Sequence, residues 1–184
     1  MGGRGVDIEA SLARKINVPE VRSLAVWAAE TSDNRLRLWN LAKSDDRRVS
    51  VNALWVMTHL AQSEPEWAAS LQDELIDMVV VESDMAKKRM LLQILKCQEF
   101  DMENIRTDFL DWCLSKINSE CEPCAVRTFS IYAAFKMCRF YPELLDELNE
   151  HLSMMSHQRL SAGLMSARRR TVEAIGKMES ARLP

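Results

Sequence analysis

The apolar residues of this chain recur with helical spacing, and one pattern opens four times along it. An arginine followed by an apolar-rich run occurs at Arg48, Arg89, Arg127 and Arg170, in the segments RVSVNALWV, RMLLQILKC, RTFSIYAAF and RTVEAIGKM. These openings recur about every 40 residues, a period typical of stacked helical hairpins. The pattern therefore predicts an array in which each helix buries an apolar face against its neighbours.

Two kinds of helix alternate in this pattern. In the first kind, apolar residues follow spacings of three and four, as at Trp67, Leu71, Leu75 and Met78, which places them on one helix face. In the second kind, exemplified by residues 49–60, the helix is apolar nearly all round. We therefore predict outer amphipathic helices and sandwiched inner helices, the latter on the concave side of an α–α superhelix.

The predicted fold is all-α, because no stretch alternates apolar and polar residues between turn signals as a strand would. Ser32, Ser83 and Asp101 stand at predicted N-caps. The predicted helices cover roughly residues 7–15, 19–30, 33–43, 46–62, 65–81, 84–98, 103–118, 123–140, 142–155 and 161–179. They form one helical-repeat domain over residues 1–184, with residues 1–5 disordered and repeats at roughly 18–43, 45–81, 84–118, 122–155 and 159–179.

Several segments carry a resemblance to a known family. DDRRVSVNAL and PCAVRTFSIYAAF each resemble the second helix of a HEAT repeat, and YPELLDEL with SAGLMSARRRTVEAI is similar to terminal repeats of bacterial HEAT-like proteins. RLRLWNLAKSDDRRVSVNAL is distantly similar to the DNA alkylation repair-like helical-repeat superfamily, whose catalytic acid and base-cradling aromatic residues have no assigned positions here. The resemblance covers roughly residues 18–178 and implies antiparallel helical hairpins, while it leaves the function open.

Polar residues follow each arginine of the inner helices at helical spacing, and we expect them to face a concave groove. Cations dominate this set, whereas the outer helices carry acidic residues such as Asp73, Glu74 and Asp77. A basic groove inside an acidic shell would attract an acidic peptide or a phosphate backbone. The candidate binding residues are Arg48, Asn52, Trp55, Lys88, Arg89, Gln93, Lys96, Arg127, Arg170 and Lys177.

A structural role is the alternative for each of these arginines. A cation at a helix N-terminus is disfavoured by the helix dipole, so its recurrence implies an acidic partner. Asp45, Asp46, Asp84 and Glu122 stand in the turns before the inner helices. Pairs with these residues would form an ion-pair ladder between adjacent repeats, and the sequence favours that ladder over ligand contact.

The chain has five cysteines, Cys97, Cys113, Cys121, Cys124 and Cys138. An odd number without an apolar signal segment favours reduced thiols and a cytoplasmic location. Cys121 and Cys124 form a CxxC motif at a helix start, where a thiol is acidified, but no second CxxC or HxxxH would complete a zinc site. We therefore predict no metal and no cofactor, with Cys121 and Cys124 as weak metal candidates.

Net charge, apolar run length and the absence of catalytic motifs restrict the possible functions without identifying one. The net charge is −3 and no apolar run is long enough to cross a bilayer, so a membrane role is not predicted. No glycine-rich phosphate loop or nucleophile motif is present, so no catalytic residue is predicted. The leading interpretation is a non-catalytic scaffold that binds a protein partner on its concave face. Nucleic-acid binding is the alternative, self-association by the end hairpins is a third hypothesis, and the oligomeric state is open.

Overall fold

A computed structural model describes residues 7–182, and every regular element in that range is helical. The predicted disorder of residues 1–5 lies outside the described residues. The chain divides into two units, Met1–Gln98 and Glu99–Pro184. The first unit contains α1 (Ile8–Leu12), α2 (Val18–Glu30), α3 (Ser32–Ala42), α4 (Arg47–Ser63), α5 (Pro65–Ser70), α6 (Gln72–Val81) and α7 (Met85–Lys96). The second unit contains α8 (Thr107–Ile117), α9 (Cys124–Cys138), α10 (Pro142–Met154), a 3₁₀ turn (Met155–His157) and α11 (Ala162–Arg182).

The predicted helices are confirmed to within a few residues, with two exceptions. The helix predicted over 65–81 is divided into α5 and α6 at Leu71, whose backbone angles of φ −99° and ψ 7° leave the helical region. The helix predicted over 103–118 begins only at Thr107, and Asp101 instead accepts the amide of Glu103 in the preceding turn.

The predicted N-caps at Ser32 and Ser83 are each wrong by one residue. The Thr31 hydroxyl caps α3 by accepting the amide of Asn34 at 3.1 Å. The Asp84 carboxylate caps α7. In both places two cap-forming residue types stand side by side, and the sequence alone does not decide between them.

Helix α4 is the centre of the first unit, because it packs against α1, α2, α3, α5 and α7. Apolar side chains cover most of its circumference, as a helix with neighbours on several sides requires. Its fully buried apolar residues include Val49, Ala53, Leu54, Val56, Met57 and Leu60. The all-round apolar pattern of residues 49–60 therefore reflects a sandwiched helix, as predicted.

Asn52 lies inside the first unit rather than on an open surface. It is 9% exposed, and its Nδ2 donates to the carbonyls of Leu12 at 2.8 Å and Arg14 at 2.9 Å. These carbonyls lie at and just beyond the end of α1, where the last C=O groups of a helix lack intrahelical acceptor bonds. The predicted groove position of Asn52 is therefore corrected, because its amide fastens α1 to α4.

Helix α9 has the corresponding central place in the second unit, where it packs against α8, α10 and α11. Helix α10 also packs against α8 and α11. The buried apolar residues of α9 include Val126, Ile131, Ala133, Ala134, Met137 and Cys138. The core of this unit is therefore built round α9.

Arg127 is buried inside this core, and the groove prediction is corrected for it as well. Its exposure is 5%, and its Nε donates to the carbonyl of Ile117 at 2.9 Å. Its Nη2 donates to the side-chain oxygen of Gln158, whose own amide donates to the carbonyl of Asn118 at 3.1 Å. Ile117 ends α8, so the guanidinium also lies at the negative end of that helix dipole.

We expect Arg127→Ala to lower the free energy of unfolding by about 2–4 kcal/mol, because it leaves buried acceptors without donors. Urea denaturation followed by circular dichroism measures this loss. Arg170→Ala is the matched control, since Arg170 is exposed and its removal should change stability by less than about 0.5 kcal/mol. Equal urea midpoints for the two variants would contradict the structural role of Arg127.

Candidate functional site

One stripe of α4 remains open to solvent. Arg48 is exposed at the start of the helix, and Val51, Trp55 and His59 follow as half-buried side chains. Gln62 continues the stripe as an exposed residue. Spacings of three and four place these five residues on one helix face. Between its two ends, α4 therefore meets solvent along this stripe.

Helix α7 presents a second stripe of the same kind. Met85 is 46% exposed, Arg89 and Lys96 are exposed, and Gln93 is half-buried. Helices α4 and α7 pack directly against each other within the first unit. We therefore treat the two stripes as one surface, the α4–α7 face, which consists of Arg48, Val51, Trp55, His59, Gln62, Met85, Arg89, Gln93 and Lys96.

The α4–α7 face carries positive charge and no carboxylate. Neither α4 nor α7 contains an aspartate or a glutamate. By contrast α6, which packs against α7, contains Asp73, Glu74 and Asp77 and no lysine or arginine. Within the first unit, positive charge therefore collects on α4 and α7 and negative charge on α6, an arrangement that favours an anionic ligand on the α4–α7 face.

The ion pair that links the start of α4 to the start of α7 is made by Arg47 rather than by Arg48. Arg47 Nε lies 2.5 Å from Asp84 Oδ2, and the same carboxylate accepts the amides of Ala86 and Lys87 as the cap of α7. Burial alone would raise the pKa of Asp84, but the Arg47 hydrogen bond and the two amides outweigh it and lower that pKa. The predicted ladder thus has one rung here, displaced by one residue from its expected position.

Arg48 and Arg89 have no acidic partner among residues 7–182. Asp46, the predicted partner of Arg48, uses its carboxylate to cap α4 and accepts the amides of Arg48 and Val49 at 2.8 and 3.0 Å. The charges of Arg48 and Arg89 are therefore not neutralised by any carboxylate in the part of the chain that the structure describes.

Lys88 does not belong to the α4–α7 face. It is only 6% exposed, although its neighbour Arg89 is exposed. Successive helical residues are separated by about 100° round the axis, which carries Lys88 into the interior while Arg89 meets solvent. The predicted binding role of Lys88 is therefore corrected.

The remaining predicted residues lie in the second unit. Arg170 and Lys177 are exposed on α11. Three of the six half-buried residues of α9 are aromatic, namely Phe129, Tyr132 and Phe135. A groove that joins Arg170 and Lys177 to the α4–α7 face stays a prediction.

Three uncharged members of the α4–α7 face were not predicted from the sequence. Val51, Gln62 and Met85 lie on the two stripes but were not among the candidate residues. Their helical spacing from Arg48 and Arg89 was the available signal, since a solvent-facing stripe includes apolar residues as readily as polar ones.

A family model for the HEAT repeat domain matches residues 8–175 of this chain. The chain belongs to the HEAT-repeat family. A search of curated proteins and a search of solved structures each gave no match. The family agrees with the helical architecture of both units, in which a sandwiched helix is packed against its sequence neighbours.

Among residues 7–182, no helix combines the length and apolarity that crossing a bilayer requires. The same residues contain no group of three or more histidine, cysteine, aspartate or glutamate side chains placed to hold a metal ion. Cys121 and Cys124 are exposed free thiols at the start of α9.

The five thiols of the HEAT-repeat chain fall into two classes. Cys97, Cys121 and Cys124 are exposed, whereas Cys113 and Cys138 are buried. Burial raises the pKa of Cys113 well above its ordinary value and that of Cys138 to about 12. Because the thiolate is the reactive form, Cys113 and Cys138 are protected from reagents in two ways: burial blocks access to them, and their raised pKa keeps them protonated.

We expect a thiol-specific disulfide reagent at pH 8 to modify Cys97, Cys121 and Cys124 in the native protein. Cys113 and Cys138 should react only after unfolding, since raised pKa values keep them as neutral thiols at this pH. Stopped-flow absorbance with and without denaturant counts the thiols in each class. Rapid native reaction of all five would contradict the burial of α8 and α9.

Proposed function

We propose that this HEAT-repeat chain is a non-catalytic scaffold and that its α4–α7 face binds an acidic segment of a protein partner. HEAT repeats are generally protein-interaction modules, which supports the scaffold role. One observation carries the choice of face. Arg48 and Arg89 are exposed without an acidic partner among residues 7–182, on two packed helices that contain no carboxylate.

The face combines long-range attraction with an apolar anchor. Exposed cations such as Arg48 and Arg89 steer an acidic partner and favour the correct one over others, while each adds little affinity by itself. Trp55 is half-buried on the same stripe of α4 as Arg48, and a tryptophan buried at an interface commonly contributes about 2 kcal/mol or more. An acidic segment that also carries apolar side chains matches both features.

Nucleic acid is the second candidate for the same face. Trp55 could stack on a base, and the arginines could neutralise phosphates. The chain as a whole has a net charge of −3, which opposes a long polyanion more than a short acidic segment. The α4–α7 face includes only three lysine or arginine residues, so we favour the protein partner.

We expect a fluorescein-labelled peptide of about a dozen alternating Glu and Leu residues to bind the whole chain at low salt. The double variant Arg48→Gln/Arg89→Gln should weaken this binding about tenfold or more, because it removes the two unpaired guanidiniums. Fluorescence anisotropy over a salt series measures the affinity. A Lys and Leu peptide and single-stranded and duplex DNA of about 20 nucleotides complete the set of probes.

The matched control is Lys15→Gln/Arg159→Gln, which changes the net charge equally at exposed positions outside the face. It should leave the affinity within about twofold. Equal losses of peptide affinity in both double variants would contradict the binding role of the α4–α7 face, since the effect would then come from net charge alone. DNA binding tighter than peptide binding, with a steep salt dependence lost in the Arg48 and Arg89 variant, would favour the nucleic-acid alternative.

Trp55→Ala should weaken binding of the Glu and Leu peptide about tenfold while leaving the salt dependence of that binding unchanged, because it removes an apolar contact and no charge. The same anisotropy titrations at two salt concentrations separate the two effects. Trp27→Ala, at a half-buried position of α2 outside the α4–α7 face, is the control for the loss of a partly exposed tryptophan and should leave the affinity unchanged. A purely electrostatic interface would show no response to Trp55→Ala.

A further inference from the structure

The second unit contains a pocket of about 710 Å³ that is bounded by the first half of α11 and the chain before it. Leu160, Met165 and Val172 contribute apolar surface to this pocket, and Met165 is 52% exposed. Arg168 and Arg169 line it as well. None of these residues belongs to the α4–α7 face, so the pocket stands apart from the function proposed above.

Arg168 is held in place at the pocket by the end of α10. Its Nε donates to the carbonyl of Leu152 at 2.6 Å, close to the last residue of that helix. The residue is half-buried, and a guanidinium carries five N–H donors, of which this bond uses one. The two terminal nitrogens of Arg168 have no acceptor and no acidic partner among residues 7–182.

The second arginine of the pocket is already neutralised. Arg169 Nη1 lies 3.1 Å from Glu173 Oε1, and both side chains are more than half exposed. Of the three charged residues that line the pocket, Arg168 alone therefore lacks a counter-charge in the described part of the chain. A half-buried guanidinium with open donors beside apolar surface is suited to pair with a carboxylate or a similar planar anion.

The apolar lining restricts what that anion can be. A hydrated inorganic ion would leave Leu160, Met165 and Val172 uncovered, whereas an apolar group next to the carboxylate would cover them. A free protein C-terminus ending in an apolar residue carries both groups on one residue, in a volume typical of small-ligand sites. We infer that this pocket binds the C-terminal carboxylate and the apolar last side chain of a partner protein.

A purely structural role for Arg168 explains only part of this arrangement. A cation at the C-terminal end of α10 is favoured by the helix dipole, and the bond to Leu152 satisfies a carbonyl at that end. That role accounts for one N–H group of Arg168 and for none of the apolar lining. The open donors and the pocket of Leu160, Met165 and Val172 need a ligand with both chemistries.

The test uses the whole chain and a fluorescein-labelled hexapeptide, Gly-Ser-Gly-Ser-Leu-Leu, as the free acid and as the C-terminal amide. We expect the free acid to bind at least about tenfold more tightly than the amide in fluorescence anisotropy, because only the acid pairs with the guanidinium. Arg168→Gln should abolish that preference. Arg170→Gln is the matched control, since Arg170 is exposed on the same helix and does not line the pocket.

Met165→Asp provides a second variant in case Arg168→Gln disturbs the end of α10. It places a carboxylate at an exposed position of the pocket and should weaken binding of the free-acid peptide by about tenfold. The fold should be retained, because Met165 is not in the core. Equal binding of acid and amide, no binding of either peptide, or an equal loss in Arg170→Gln would overturn the inference. Self-association of the chain that Met165→Asp abolishes, without peptide binding, would assign the pocket to a second copy instead.

Discussion

Burial of the inner helices on nearly every side is the constraint on which the rest of the molecule depends. Helices α4 and α9 each contact most of the other helices in their own unit, and each buried apolar side chain contributes about 1.5–3 kcal/mol. Residues such as Leu54 and Met57 therefore have little freedom to change, because a smaller side chain leaves a cavity and a larger one strains the packing. What remains free is one solvent-facing stripe on each inner helix. In α4 and α7 that stripe carries the cations of the α4–α7 face.

Helix ends create a second demand, and three sandwiched or terminal helices meet it in the same way. The last carbonyls of a helix have no intrahelical donor, so a buried end needs one from elsewhere. Asn52 of α4 supplies it to Leu12, Arg127 of α9 supplies it to Ile117, and Arg168 of α11 supplies it to Leu152. Gln98 does the same for Ala68, at the end of α5. A polar residue on an apolar inner helix is thus often a cap for a neighbouring helix, and only its unused donors remain for a ligand.

This demand explains how far the sequence could predict the candidate site. Apolar periodicity predicted the helices because core packing imposes it directly, and it failed where backbone geometry decides, as at Leu71 between α5 and α6. Helical spacing grouped Arg48, Trp55 and Arg89 as groove candidates, and the structure shows Arg48 and Arg89 exposed and Trp55 half-buried. The same spacing could not separate these from Asn52 and Arg127, since the angle of a residue round its helix does not say whether a neighbouring helix covers it. Those two residues are buried through tertiary packing, which no local pattern encodes, whereas Lys88 lies about 100° away from Arg89 round α7 and was separable from it by helical angle.

The difference between Arg47 and Arg48 shows how one helix start can serve both structure and recognition. The two residues are adjacent, but about 100° of helical rotation separates them. Arg47 thereby reaches Asp84, the cap of α7, and links two helices through a partly buried carboxylate whose pKa is lowered. Arg48 turns to the open stripe, and the carboxylate of Asp46, its predicted partner, is occupied with the amides of α4. Because Asp46 caps α4 and Asp84 caps α7 and pairs with Arg47, neither carboxylate neutralises Arg48, which leaves its charge for the partner proposed for the α4–α7 face.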